Sequence, residues 1–417
     1  MVRRFHFAWV IVALAFVTLL GAAGFRATPS VLMVPLQDEF GWQRSTVSIA
    51  ISVNLLLYGL VAPFAAALIE RFGIRRVSGT GLLMIAVGTG LTVFMTASWQ
   101  LTLLWGVLVG LGTGSMALVF AATIANRWFV KQRGLVTGLL TAASATGQLI
   151  FLPLLASLAQ QHGWRTAALV VAGATLVVAP LVLVFLRERP SDKGLLPYGA
   201  DASYVESRMK VPSALGGLRT AASSRTFWLL VAGFAICGAT TNGLIGTHFL
   251  PAAHDHGMAP TTAASLLALI GIFDIVGTVG SGWLTDRVDS RMLLGTYYGL
   301  RGLSLLTLPF LLSNAVRPNL LIFVVFYGLD WIATVPPTVA LCREHFGAQG
   351  TIVFGWVFAS HQIGAAVAAT AAGFARDAFG DYTATWIVTG GLAILAAALS
   401  VAIRALPARV VTAPQTA

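Results

Sequence analysis

Runs of about 20 apolar residues recur twelve times along this chain, and nothing else in it narrows the fold as much. A hydrocarbon layer about 30 Å thick needs a helical run of that length to cross it. The runs fall near 8–34, 45–69, 77–97, 99–125, 134–158 and 166–186, then near 227–252, 261–284, 291–312, 318–341, 350–374 and 383–405. Only 10% of the 417 residues are charged and 57% are hydrophobic, where soluble domains carry about 25% charged residues. The outer surface is therefore expected to meet lipid. The expected fold class is all-α, a polytopic membrane protein with twelve transmembrane helices in two pseudo-symmetric six-helix bundles.

The formal net charge of +11 does not point to nucleic acid, because the basic residues sit in short loops rather than in one patch interleaved with aromatics. Placing the N-terminus in the cytoplasm puts 20 of the 26 Lys and Arg on that side and leaves Arg44, Arg165, Arg317 and Arg376 outside. Positively charged loops stay cytoplasmic, so both termini are expected there, in the cytoplasmic membrane. Arg3 and Arg4 precede an apolar run too long for a cleaved signal core, which reads as the first span. A polar stretch from Arg187 to Arg225 contains Pro190, Pro197, Pro212 and Gly216-Gly217. The expected organisation is an N-terminal bundle over 1–186, a linker over 187–226, a C-terminal bundle over 227–406 and a tail over 407–417.

The two halves are copies. Pro35 and Pro251 are 216 residues apart, as are Glu39 and Asp255, Gly41 and Gly257, Glu70 and Asp286, and Arg71 and Arg287; at 217, Phe129 matches Phe346 and Gly138 matches Gly355. Parallel six-span repeats are one arrangement of secondary transporters, with the substrate held at mid-membrane between the halves. The turn Glu70-Arg71-Phe72-Gly73-Ile74-Arg75-Arg76 and its counterpart around Gly282, Asp286 and Arg287 resemble the G-x3-D-R/K-x-G-x-R/K-R/K loop of the major facilitator superfamily. Ala66 and Glu70 depart from that pattern in the first turn, and Asp289 in the second. The resemblance implies a conformational latch of Glu70, Arg71, Arg75, Asp286 and Arg287, in which an acid meets a helix N-terminus or a basic partner in one state only. The string Asn126-Arg127-Trp128-Phe129 through Lys131-Gln132-Arg133-Gly134-Leu135 to Gly138 is similar to the monocarboxylate transporter and oxalate–formate exchanger branch.

Ionisable groups at membrane depth cost about 2.5–3.5 kcal/mol on insertion scales, so each faces a cavity or a partner. Asp274 stands in the middle of the eighth span, where the resemblance implies a proton-carrying acid; Thr278 stands where that family often has an arginine. Arg26 lies in the first span before Pro29, which is expected to interrupt the helix. Its repeat partner is Asn242, and its guanidinium suits a carboxylate. Arg301 and Asp330 occupy the ninth and tenth spans. They form either a structural ion pair or, with Asp330 as a second protonation site, part of the transport machinery; were Arg301 to pair with Asp274, the two acids would exchange roles. His361 aligns with a substrate-binding lysine of the oxalate–formate exchangers. His248, Asn54, Tyr58, Gln148 and Gln362 are further candidate lining groups.

Cys237 and Cys342 offer neither a disulfide framework nor metal spacing. His254-Asp255-His256 is no metal site, since residues two apart on a helix diverge. Its repeat counterpart Asp38-Glu39-Phe40 favours a loop acid that caps the next helix. No phosphate-binding glycine loop, nucleophile elbow or Cys-His pair occurs in loop context. A gradient-driven carrier without cofactor is therefore expected, not an enzyme. Its partners are a small-molecule substrate, protons and the lipid bilayer, and it is expected to work as a monomer. The leading expectation is a proton-coupled carrier of a small organic acid, with Asp274 taking the proton and Arg26 with His361 receiving the carboxylate. The alternative is proton-driven efflux of amphipathic or cationic compounds.

Overall fold

The computed structural model describes residues 6–116, 118–201, 214–285 and 287–405; the expected latch acid Asp286 lies outside these, as do the side chains of Arg26, Glu70 and Gln148. Lipid offers backbone N–H and C=O groups no partner, so a spanning segment satisfies them internally as a helix. The first half comprises α1 (Ala8–Phe40), α2 (Arg44–Phe72), α3 (Ile74–Phe94), α4 (98–114 and Leu118–Trp128), α5 (Arg133–His162) and α6 (Trp164–Phe185). The second comprises α7 (Arg225–Asp255), α8 (Pro260–Thr285), α9 (Ser290–Thr307), α10 (Pro318–Phe346), α11 (Gly350–Phe379) and α12 (Thr383–Val401). Among the described residues, eight of the twelve are long and apolar enough to cross a membrane. The 18-residue α9, which carries Arg291 and Arg301, is not among the eight.

Packing repeats with the sequence. α1 lies on α5 as α7 lies on α11, α3 on α6 as α9 on α12, and α2 on α4 as α8 on α10. The halves meet along α2 with α11 and along α5 with α8, the same pairing under the repeat. Leu83, Val87 and Leu91 on α3, Leu176 and Val177 on α6, Leu300 and Leu303 on α9, and Val388 and Leu395 on α12 remain exposed. These four helices form the lipid-facing periphery, and α1, α2, α7, α8, α10 and α11 carry the polar groups described below. We call the side holding residues 186–201 and Ala214–Ala222 the linker face, and the opposite side the far face.

Two local features position the site. α1 is continuous through Pro29 rather than interrupted there. Membrane helices tolerate proline where the surrounding protein re-satisfies the freed backbone. α7 and α11 approach backbone to backbone: a methyl group added at Gly238 would stand 1.7 Å from the His361 carbonyl oxygen, and one at Gly364 1.9 Å from that of Ala235. Small residues permit such approaches in membranes, and this one brings His361 against α7. There α7 turns π-helical over Ala239–Ile245, a distortion frequent at functional sites.

Candidate functional site

α10 is a broken helix. Its first part ends at Asp330 and its second begins at Val335. Pro337 has no N–H for the carbonyl four residues back; that carbonyl, Ala333 O, accepts from Ser281 Oγ of α8 at 2.5 Å. The break frees backbone groups at mid-span, and the acids of two helices gather around it. Asp274 Oδ1 accepts from Ile332 N at 2.9 Å and from Thr278 Oγ1 at 3.0 Å. Among the described residues no cation pairs with Asp274, which is 4% exposed. Arg301 instead pairs with Asp330, Nε to Oδ2 at 2.5 Å, and its Nη2 donates to the Asp330 and Trp331 carbonyls at 2.6 and 3.2 Å. Its Nη1 reaches across to α7, to Cys237 Sγ at 2.9 Å and Thr240 Oγ1 at 3.4 Å. The pair therefore ties α9, α10 and α7 together, and of the two pairings open in the sequence the structure has Arg301 with Asp330.

His361 lies beside this network, buried between Phe234 and Phe358, with ring centroids 4.9 and 6.0 Å away. Its Nε2 is 3.4 Å from Thr241 Oγ1, and its Nδ1 has no hydrogen-bond partner among the described residues. Gln362 Oε1, on the next residue, is buried in the same condition. Buried polar atoms are seldom left unmatched, so among the described residues His361 and Gln362 of α11 have unused hydrogen-bonding capacity. The Tyr58 ring faces Phe358 at 5.9 Å across the α2–α11 seam. Asn242 is half-buried in the π-helical segment of α7. Two expected lining groups are placed otherwise. Asn54 donates to Trp105 O at 2.8 Å, tying α2 to α4. Both ring nitrogens of His248 are engaged, with Tyr382 Oη at 3.0 Å and Ala369 O at 2.8 Å, which takes it from the lining into the far-face packing.

At the far face the two halves are clasped. Arg44, opening α2, forks onto the Asp255 carboxylate that ends α7, with Nη1 to Oδ2 at 2.7 Å, and also reaches Tyr382 Oη at 2.9 Å. Arg376 of α11 adds a contact to Asp255 at 2.8 Å. Asp377 caps α2 from the other half, accepting from Arg44 N at 3.2 Å and Ser45 N at 3.0 Å. The expectation that Asp255 caps its own next helix is thus overturned: Asp255 bridges two arginines, and the capping is done by Asp377. Its repeat counterpart Glu39 stays within its own half, on Arg165 and on Trp164 Nε1. The signal was present in the charge count, since Arg44, Arg165 and Arg376 are three of the four loop cations that depart from the basic side, and all three hold an acid. Hydrogen bonds to charged groups contribute about 1.5–3 kcal/mol, so Arg44→Ala is expected to raise the population with the far face parted at least about tenfold. Labelling of a Ser48→Cys reporter, which lies fully buried under the clasp, measures this; an unchanged rate in the Arg44→Ala background would show that the clasp holds nothing.

At the linker face, beside the expected latch residues Arg71 and Arg75, an acid outside that set caps a helix. Glu188, at the start of the linker, accepts from Ile74 N at 2.7 Å and Arg75 N at 3.1 Å, capping α3, and pairs with Arg127 at 3.4 Å. Gly73, with φ +86°, makes room for it: a methyl group there would stand 2.5 Å from Glu188 Oε1. In the repeat, position 73 corresponds to Asp289, which caps α9 with its own side chain through Arg291 N at 2.9 Å. Asp289 therefore departs from the glycine pattern because its half supplies the cap locally. Its hydrogen bonds from the Arg291 guanidinium hold its carboxyl below the usual carboxylate range. Arg71 stacks on Phe72 and Arg287 on Trp283, while the guanidinium of Arg75 stays exposed. Sequence reasoning missed Glu188 because it lies 114 residues from the helix it caps.

A family model described as Major Facilitator Superfamily matches residues 14–354 and 238–416. An uncharacterized MFS-type transporter, YcxA of Bacillus subtilis (strain 168), is 26% identical over 404 residues, covering 96% of this chain and 95% of that protein. Monocarboxylate transporter 13 of Rattus norvegicus is 30% identical over 395 residues, covering 92% of this chain and 85% of that protein. Among solved structures, a bacterial homolog of the human lysosomal transporter Spinster, in an inward-facing and unoccupied conformation, superposes with a TM-score of 0.76 at 14% identity over 95% of this chain and 97% of that one. The E. coli fucose:proton symporter FucP superposes with a TM-score of 0.60 at 16% identity, over 96% and 100%.

Proposed function

We propose that this chain, which belongs to the Major Facilitator Superfamily and is a multi-pass membrane transporter rather than an enzyme, moves a small monocarboxylate-like acid together with a proton by alternating access. The observation that carries this reading is Asp274: a buried carboxyl in a span, held by one hydroxyl and one backbone N–H, with no cation partner among the described residues. Both donors act on Oδ1, which leaves Oδ2 for a proton. A charge at that depth is costly, so the helix bundle reorients more readily with this group neutral.

The substrate carboxylate is assigned to Arg26 of α1 and His361 of α11, which belong to opposite halves. Asn242, Tyr58, Gln148 and Thr278 are assigned to the surrounding lining, and Arg301 with Asp330 to the frame that holds α10 open beside it. Rocking of 1–186 against the C-terminal half then requires the far-face clasp to part. The basic bias of the linker face supports a cytoplasmic linker and cytoplasmic termini. The relatives named as monocarboxylate transporters add support for the substrate class.

Export of amphipathic or cationic compounds by proton exchange is the second reading, favoured by Thr278 at the expected arginine position and by Asp330 Oδ1, a buried acid oxygen with no hydrogen-bond partner among the described residues. Proteoliposomes under an imposed pH gradient separate the two. Labelled lactate and related acids are expected to accumulate on the alkaline side, while a cationic dye is expected to be indifferent to the gradient. Gradient-driven dye movement with no acid uptake would overturn the first reading.

A further inference from the structure

A second polar site lies on the linker face, sharing Arg75 and Glu188 with the α2–α3 turn and adding arginines that the transport reading leaves without a role. A cavity of about 420 Å³ opens between the α2–α3 turn, the end of α4 and the start of the linker, within the size range of small-ligand sites. Five arginines line it, Arg75, Arg76, Arg127, Arg187 and Arg189, against two acids, Glu188 and Asp192. Both acids are already engaged. Glu188 holds the α3 amides and Arg127, while Asp192 Oδ2 accepts from the backbone N–H of Glu188 at 3.0 Å and of Arg189 at 3.1 Å. The guanidiniums of Arg75 and Arg76 remain exposed at its mouth.

The segment is also held in place from beneath. The 3-10 turn Pro190–Lys193 is closed by Asp192, and Tyr198 exchanges backbone hydrogen bonds with Trp128 and Val130 at the end of α4. The arginines of the linker are therefore fixed opposite those of the α2–α3 turn, not merely close in sequence. Arg127 pairs with Glu188, and Arg187 Nη1 donates to the Val184 and Leu186 carbonyls at 2.6 and 3.2 Å, while Arg76 lines the opposite side. Planar guanidiniums lining one cavity from two segments suit an anion that accepts several two-pronged hydrogen bonds, and phosphate is the common group with that geometry.

From this arrangement we infer that the cavity binds a phosphate-bearing anion, either the headgroup of an anionic phospholipid at the membrane surface or a soluble phosphate ester. Basic pockets at the membrane surface take such headgroups. Occupancy would brace the linker on the α2–α3 turn and so favour the state in which Glu188 caps α3.

The test uses the full chain. One arm measures retention of phosphatidylglycerol, against phosphatidylcholine, by native mass spectrometry after reconstitution in mixed nanodiscs; the other measures thermal stabilisation by glycerol 3-phosphate and inorganic phosphate in a neutral detergent. Arg76→Ala/Arg187→Ala is expected to weaken whichever binding is found at least tenfold. Arg317→Ala, an exposed far-face control, is expected to leave it unchanged, and Arg76→Lys/Arg187→Lys to retain part of it. Retention of phosphatidylglycerol alone identifies the lipid, and stabilisation by the soluble probes identifies the ester. Binding in neither arm, or binding indifferent to the double alanine variant while Arg317→Ala behaves as wild type, overturns the proposal.

Discussion

Replacing Asp330 with alanine is expected to destabilise the protein by about 3–5 kcal/mol, because it strands the Arg301 guanidinium in a site that is 1% exposed. Two carbonyls, a thiol and a hydroxyl would still accept from Arg301, but none carries the opposing charge. The expected readout is a sharp loss of monodisperse protein and a lowered unfolding temperature in detergent. Asp330→Asn keeps an acceptor oxygen and should lose less. Removing both charges with Arg301→Leu/Asp330→Leu should recover much of the loss, since replacing a buried pair with apolar groups is often neutral or better. A double-mutant cycle isolates the coupling. If Asp330→Ala were as stable as wild type, the pair would not be the tie that joins α7, α9 and α10.

Asp274→Asn is expected to abolish gradient-driven accumulation while leaving exchange of substrate across the membrane intact. Asparagine retains an oxygen for Thr278 and for Ile332 N, so the junction of α8 with the break in α10 survives. What it loses is the ability to gain and release a proton. One pH unit is worth about 1.4 kcal/mol per proton, or about tenfold accumulation for a one-proton carrier. Under such a gradient the variant should equilibrate its substrate to a ratio near one, with counterflow of preloaded substrate unchanged. Continued tenfold accumulation would remove Asp274 from the coupling step. Loss of both uptake and counterflow would place it in substrate binding instead.

Much of the architecture was legible in the amino-acid sequence because it rests on local physics. Twelve apolar runs imply twelve helices since lipid leaves the backbone no other way to satisfy itself, and a near-constant offset of 216 residues implies that the second half packs as the first does. The same reasoning picked out Asp274, Arg301 and Asp330, because a charge inside a span is conspicuous wherever it points. Proline at position 29 misled, since membrane helices tolerate proline without ending there, and α1 runs on to Phe40.

Partnership was not legible. Glu39 and Asp255 hold equivalent places in the repeat, yet one stays in its own half and the other joins Arg44 across the molecule. Asp377 caps a helix that begins 333 residues earlier, and Glu188 reaches back 114 residues. Sequence periodicity tells which face of a helix is apolar and how far the helix runs. Which charge meets which depends on the rotation and axial offset of helices packed against one another, and on where a helix such as α10 breaks. Arg301 was free on paper to choose either Asp274 or Asp330; the packing of α9 against α10 and α7 made the choice.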